Sequence, residues 1–449
     1  MENSNQCSPD QKVVDRISIL PESIRNHIVS FLPMKDSITT STLSKSWRNI
    51  CSSLYNLDFD QQLFDEMSSK KTSFKFKDYV SQFIGCRDGS NVHSFRLVVD
   101  DSIVPYIQLW ILYAVQHNVK RLEVIVRSGN LDSLPCSLFT SRTLIVMCLS
   151  DIHLELPVVV EFPLLKVLDL RKVRWSDVSQ TNQLISNCPR LESLVLILCS
   201  WNKFNNSLVI SSPKLKMLVS TPAHDLQEVK ISCPDLYDCQ YSGYPPDISS
   251  ETLSSLLIAT LRFIPLENFQ ESQNVTTQRV TKIFLGLHNV LHLVLGQFTL
   301  ESLSKNQDLF THIQIQLCSI KLLQLDVFSA ENQVEFVASL LSIFPNLQIL
   351  HVSFKEPGPL AWLLNLEGHY QPKTSSDLGA LFYITIKELK GNDNELYLVR
   401  HLLKNAKVLL NVEISYSRDL DEDEPRRSVI GKKIEQFVKA SRIAIISFV

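Results

Sequence analysis

The chain has 449 residues, 45% hydrophobic and 20% charged, with a net charge of −3. That balance excludes a disordered or collagen-like chain, gives length for two to four domains at roughly 100–200 residues each, and offers no basic field for nucleic acid or an anionic membrane. Only 11 glycines are present, few for a phosphate-cradling enzyme, and none of the ten cysteines forms the C-x-x-C pair of a zinc knuckle or redox motif.

Residues Met1 to Asp10 are polar, without the basic and apolar regions of a secretory signal, and no run approaches the ~18 apolar residues of a membrane span. The expectation is a cytoplasmic and/or nuclear chain with reduced thiols and no membrane partner. Residues 15 to 54 read as three short helices. Pro21 suits a first helical turn and Glu22 complements its positive end, while Ile24, Ile28 and Leu32 recur at four-residue steps until Pro33 stops the helix. Asp36 caps a second helix carrying Ile38 and Leu43. Ser44 caps a third, in which Trp47, Ile50, Cys51 and Leu54 share one face. Three helices of this length bury too little to stand alone, so a permanent partner is expected. Residues 60 to 91, with Lys70, Lys71, Lys75 and Lys77, read as a solvated linker or helix.

From residue 92 the chain repeats. An apolar-x-x-apolar-x-apolar template starts at Val92, Val119, Leu144, Leu165, Leu191, Leu215, Leu236, Leu261, Val290, Ile320 and Leu347. At this hydrophobic content about 40 such triplets arise by chance, so single matches carry no information. Their spacing does, because it clusters near the ~20–29 residues of a leucine-rich repeat. Pro163, Pro189, Pro213, Pro234 and Pro345 each stand two residues before a template start, where proline is tolerated at the beginning of a strand. In the copy at Leu215, Ser220 takes an apolar place. Trp175 and Trp201 fall at equivalent positions and read as core rather than as a ligand ladder.

The last 80 or so residues keep the template at Leu381-Ile384-Ile386, Leu409-Val412-Ile414 and Ile443-Ile446-Phe448. Helical stretches with Leu396, Val399 and Leu403, and with Ile430, Ile434 and Phe437, alternate with them. This strand–helix–strand–helix–strand order predicts crossover units that cover the end of the repeat array.

No catalytic constellation emerges. His288 and His292 have zincin spacing, but Asn289 stands where the glutamate is required and the flanking residues read as strand. The acidic stretch Asp419 to Glu424 lacks the glycine and alternating ligands of a calcium loop. No cofactor or metal is expected.

Asp15-Arg16-Ile17-Ser18-Ile19-Leu20-Pro21-Glu22, then Ile28 to Asp36 and Thr40 to Arg48, resemble an F-box. The stretch Leu381 to Ser415 and the ending Ile443 to Phe448 resemble an FBD module, so the chain as a whole is similar to the plant F-box/FBD/leucine-rich-repeat family. The resemblance implies an α/β fold with a three-helix F-box at 15–60. A leucine-rich-repeat solenoid with a parallel sheet follows at 92–365, capped by an FBD domain at 366–449. It implies a non-catalytic substrate receptor of an SCF-type ubiquitin ligase, in which the F-box docks a Skp-type adaptor, the adaptor joins a cullin, and the repeats hold a protein target. By that resemblance Leu20 and Pro21 start the docking surface, Ile24, Ile28, Leu32, Pro33 and Leu43 extend it, and Trp47 supports it. Target contacts are expected on exposed strand positions, for example Lys166, Asp169, Glu192, Lys216 and His292. The competing class is a repeat scaffold not coupled to ubiquitin transfer; a hydrolase has no residues to support it.

Overall fold

A computed structural model describes residues 17, 19–29, 31–32, 34–40, 47, 50–67, 75–100, 104–127, 131, 133–202, 207–221, 226, 228–264, 272–305, 317–356 and 378–449. The chain divides into two compact units, Met1–Leu164 and Leu165–Val449.

In the first unit, α1 (Glu22–Val29) begins where the Pro21 carbonyl accepts the N–H groups of Ile24 and Arg25 at 3.0 and 3.1 Å. Proline thus sits just outside the helix and needs no N–H of its own. A short turn leads to α2 (Met34–Thr40), whose buried Ser37 donates its hydroxyl to the Val29 carbonyl at 3.2 Å and stitches the two helices together. Trp47 is buried, with the Arg25 guanidinium 6.0 Å above its ring.

Strands β1 (Asn56–Asp60), β2 (Ser94–Val99), β3 (Arg121–Val126) and β4 (Val146–Ser150) are parallel neighbours in that order. The sheet therefore begins before the first template copy; β1 offers only Leu57 and Phe59, too short a pattern to register as a repeat. Residues 60–91, read from sequence as a solvated linker or helix, supply two helices, Gln61–Met67 and Phe76–Gly85. The second buries Phe76 and Val80. Phe59, Phe83 and Phe95 lie within 5.8 Å centroid to centroid of their neighbours in this cluster, and Phe76 meets Trp110 edge-on at 6.3 Å. Aromatic packing of this kind outweighs the flanking lysines that made the segment look solvated.

In the second unit the strands follow as β5 (Val167–Arg171), β6 (Ser193–Ile197), β7 (Met217–Thr221), β8 (Asp238–Gly243), β9 (Ile258–Phe263) and β10 (His292–Leu295). They continue as β11 (Leu322–Phe328), β12 (Ile349–Lys355), β13 (Tyr383–Leu389), β14 (Asn411–Tyr416) and β15 (Ile445–Phe448). All pair in parallel with their neighbours in this order. The register stacks one inward column through the unit: Leu168, Leu194, Leu218, Cys239, Ala259, Leu293, Leu323, Leu350, Ile384, Val412 and Ile446.

One template copy moves. The Leu257 N–H donates to the Tyr237 carbonyl at 2.9 Å, so the residue matching Leu236 is Leu256, five positions before the Leu261 expected from sequence. Leu256, Ala259 and Leu261 are all buried. Both frames satisfy the apolar pattern, and only the hydrogen-bond ladder selects between them.

The five register prolines stand in turns rather than at the strand itself. Each is the second residue of a tight turn, where its fixed φ fits; Leu191 N–H, for example, donates to the Cys188 carbonyl at 3.1 Å, and Leu236 repeats this on Cys233. The residue before each proline is buried: Phe162, Cys188, Ser212, Cys233 and Phe344. Trp175 and Trp201 pair in register on two short strands and are buried, as read from sequence.

At the C-terminal end, β13, the helix Asp393–Asn405, β14, the helix Glu424–Glu435 and β15 alternate as expected. Asn392 caps the first helix by accepting the Glu395 N–H at 2.9 Å, and Asp423 caps the second by accepting that of Arg426 at 3.1 Å.

Candidate functional site

The N-terminal helices carry more apolar surface than they bury. Pro21, Ile24, Ile28 and Leu32 are exposed and Leu20 is half-buried. Ile17, Ile19 and Phe31 are exposed as well, and the six isoleucine, leucine and phenylalanine side chains among these exposed residues are 38% to 75% accessible. Two of them, Ile24 and Ile28, lie one turn apart on α1, and Phe31 follows at the next turn position. Sequence reasoning named Leu32 for that face and missed Phe31, although Ile24, Ile28 and Phe31 at i, i+4 and i+7 fit a helical stripe equally well. Pro33 and Leu43 lie outside the described residues. Trp47 is buried, so it shapes this block from within and does not present its ring to a partner. Clustered exposure of large apolar side chains on a small helical block is the mark of a protein-docking face.

The outward face of the repeat sheet mixes apolar residues, such as Val195 and Met217, with charged ones. Lys166, Glu192 and Lys216 occupy successive rungs: Glu192 N–H donates to the Lys166 carbonyl, and Lys216 N–H to that of Glu192, each at 2.8 Å. Their side chains follow suit, with the lysine ammoniums 2.8 and 3.1 Å from the two Glu192 oxygens. Hydrogen bonds from Lys166 and then Lys216 hold the Glu192 carboxyl down at about 2. Asp169 is gripped by two nitrogens of Arg171 at 2.9 and 3.0 Å. Three of the five expected target contacts, Lys166, Glu192 and Lys216, are thus brought together, and these three and Asp169 are already paired with charges of the chain itself.

His292 is not among them. It starts β10, four positions along the ladder from the strand that follows Glu192, and its Nε2 is enclosed without a hydrogen-bond partner among the described residues. His288 lies in the preceding turn, so the two histidines share no helix face. In the acidic stretch, Asp419 pairs with Lys390 at 2.7 Å and Asp423 serves as the helix cap described above.

Comparison with known proteins finds relatives of both regions. Residues 17–59 match the F-box domain, and residues 107–243 match a family described as FBD-associated F-box protein At5g56370, LRR repeats. The chain is 30% identical over 319 residues to F-box/LRR-repeat protein At4g14096 of Arabidopsis thaliana, covering 67% of each. It is 27% identical over 430 residues to putative F-box/FBD/LRR-repeat protein At5g44950 of the same plant, covering 90% of this chain and 92% of that one. A third relative, FBD-associated F-box protein At4g10400, is 31% identical over 232 residues, or 51% and 55% of the two chains.

Proposed function

Since the chain belongs to the F-box/leucine-rich-repeat family, we propose that it is the substrate-recognition subunit of an SCF-type ubiquitin ligase. F-box domains generally bind Skp-type adaptors, and F-box/LRR proteins are typically non-catalytic. In this reading α1 and its following turn dock a Skp-type adaptor, the adaptor joins a cullin, and the repeats hold a protein target for ubiquitination. The chain itself performs no bond chemistry; it places the target beside a ubiquitin donor carried by the other subunits. The reading extends to a cytoplasmic or nuclear location, which a fluorescent fusion of the full chain tests.

The observation that carries the proposal is the exposed apolar set on and around α1, which falls inside the residues that match the F-box. Interfaces concentrate their energy in a few apolar anchors, each worth ~2 kcal/mol or more on truncation. Two such losses weaken binding roughly a thousandfold, because every ~1.4 kcal/mol is tenfold. Leu20→Ala with Pro21→Ala is therefore expected to abolish co-purification of adaptor and cullin. The helical circular-dichroism signal should persist, because the cap at Pro21 uses a backbone carbonyl that alanine retains. Adaptor capture equal to wild type would defeat the ligase reading and leave a repeat scaffold in its place.

A further inference from the structure

At the far ends of β9, β11, β12 and β13 the outward face of the sheet opens into a cavity of about 530 Å3. Its walls carry three cations, Arg262, Lys355 and Lys387, and two carboxylates, Asp326 and Glu356.

Arg262 is positioned with care. Its Nε lies 3.0 Å from the Asp326 carboxylate, which is only 4% exposed. Arg262 is on β9 and Asp326 on β11, so the side chain crosses the whole width of β10 to get there. Strands are spaced by ~4.8 Å, and a bulky residue at the crossing would block the reach. The crossing residue is Gly296. A Cβ there would sit 3.0 Å from the Arg262 Cα and 3.1 Å from its Cγ, tighter than ordinary contact.

The anchor uses Nε alone; the two terminal guanidinium nitrogens make no hydrogen bond or ion pair among the described residues. Lys355 stands 4.0 Å from the other Asp326 oxygen. Lys387, in register with Ser353 and exposed, makes no ion pair among the described residues. Glu356 is paired with Lys390.

We propose that this cavity is a recognition site for a polar carboxylate, held by the Arg262 fork and by Lys387. An arginine with both terminal nitrogens open presents a planar pair of donors that matches a carboxylate. Three cations against two carboxylates leave the walls with one net positive charge, which a monoanion neutralises and which leaves the second charge of a phosphate dianion uncompensated. The remaining lining, Gln297, Gln324 and Ser353, is neutral and hydrogen-bonding, so the group bearing the carboxylate is polar too. The carboxylate comes from a protein segment or from a small hydroxy acid; the chemistry of recognition is shared. The proposal rests on the repeats being the recognition surface of the ligase reading.

The test titrates the full chain by ligand-observed NMR with N-acetyl-aspartyl amide and with gluconate, using the asparagine analogue and inorganic phosphate as controls. Saturable binding of either carboxylate supports the proposal, and the tighter one identifies the source. Arg262→Gln and Lys387→Gln should each weaken it about tenfold or more. Because Lys387 is unpaired, its variant stays folded even if the loss of Arg262 disturbs Asp326. No binding by either carboxylate, equal binding of the asparagine analogue, tighter binding of phosphate, or wild-type affinity in Lys387→Gln would overturn it. Adaptor capture is measured on the same preparations: its loss with probe binding intact removes only the ligase reading.

Discussion

Lys166, Glu192 and Lys216 follow one another on three rungs, and each lysine reaches a different oxygen of the glutamate. The two ammoniums lower the Glu192 carboxyl from 4.5 to about 2. A carboxylate whose folded value is depressed contributes stability that is fully present above its unfolded value and lost as pH falls toward the folded one. The stability the bridge contributes should therefore be fully present above about pH 4.5 and be lost between that and about 2, where the carboxylate itself protonates. All three groups are solvent-facing, so salt screens them and the effect on global stability is small. An NMR titration of the Glu192 side-chain carboxyl should show a midpoint near 2, returning toward 4.5 in Lys166→Ala with Lys216→Ala. A wild-type midpoint above 4 would mean that the bridges do not form in solution. A target that binds here must displace these internal pairs, whereas at Arg262 and Lys387 it meets donors that are still open.

The elements are governed by the inward column. Leu168 lies fully buried on β5 between the turn residue Leu165 and Leu170, and it stacks on Leu194 of β6. Leu168→Asp places a lone charge there and is expected to lower stability by ~4 kcal/mol or more, enough to prevent soluble folding. A folded, soluble Leu168→Asp chain would refute the register. The opposite outcome is expected at Ser220 on β7. It is fully buried beside Leu196 and Tyr241, and its hydroxyl finds no hydrogen-bond partner among the described residues. Ser220→Ala removes that stranded group and should raise unfolding stability by ~1 kcal/mol, read as a higher urea midpoint with unchanged slope. A lower midpoint would show that the hydroxyl is satisfied.

Across the molecule, the C-terminal strands are continuous with the repeats: β12 pairs with β13 from Ile349 to Ser353. Glu395 reinforces this continuity from a fully buried position. Its carboxylate accepts the N–H groups of Lys390 and Gly391 at 2.8 Å each, the Asn392 amide at 2.8 Å and the Ser329 hydroxyl, just after β11, at 2.6 Å. Glu395→Ala strands two buried N–H groups and should lower stability by ~3 kcal/mol. Hydrogen exchange should speed up across β11, β13 and β14 while β5 to β7 keep their protection. Faster exchange confined to residues 378–449 would instead describe a separate C-terminal body. The last strand is less well covered: Ile443, the first residue of the last template copy, is 67% exposed and β15 has a neighbour on one side only among the described strands.

Local pattern was enough to establish the parallel repeat architecture, the alternating C-terminal helices and the first two short helices at the N-terminus, because hydrophobic period and turn chemistry act between near neighbours; of the third, only Trp47 and a 3-10 turn at Ile50–Ser53 fall among the described residues. It also marked most of the apolar face around α1. Three features needed the folded chain. The frame at Leu256 is chosen by backbone hydrogen bonds to Tyr237, which two equally apolar frames cannot distinguish. The helix Phe76–Gly85 owes its packing to Phe59 and Trp110, distant in sequence or on another element, and Phe59 is held in place by Phe95 through the pairing of β1 and β2. The charged cavity joins Arg262 to Asp326, 64 positions apart. Their meeting depends on strand order and on the glycine that follows the strand between them, and neither leaves a trace in local sequence.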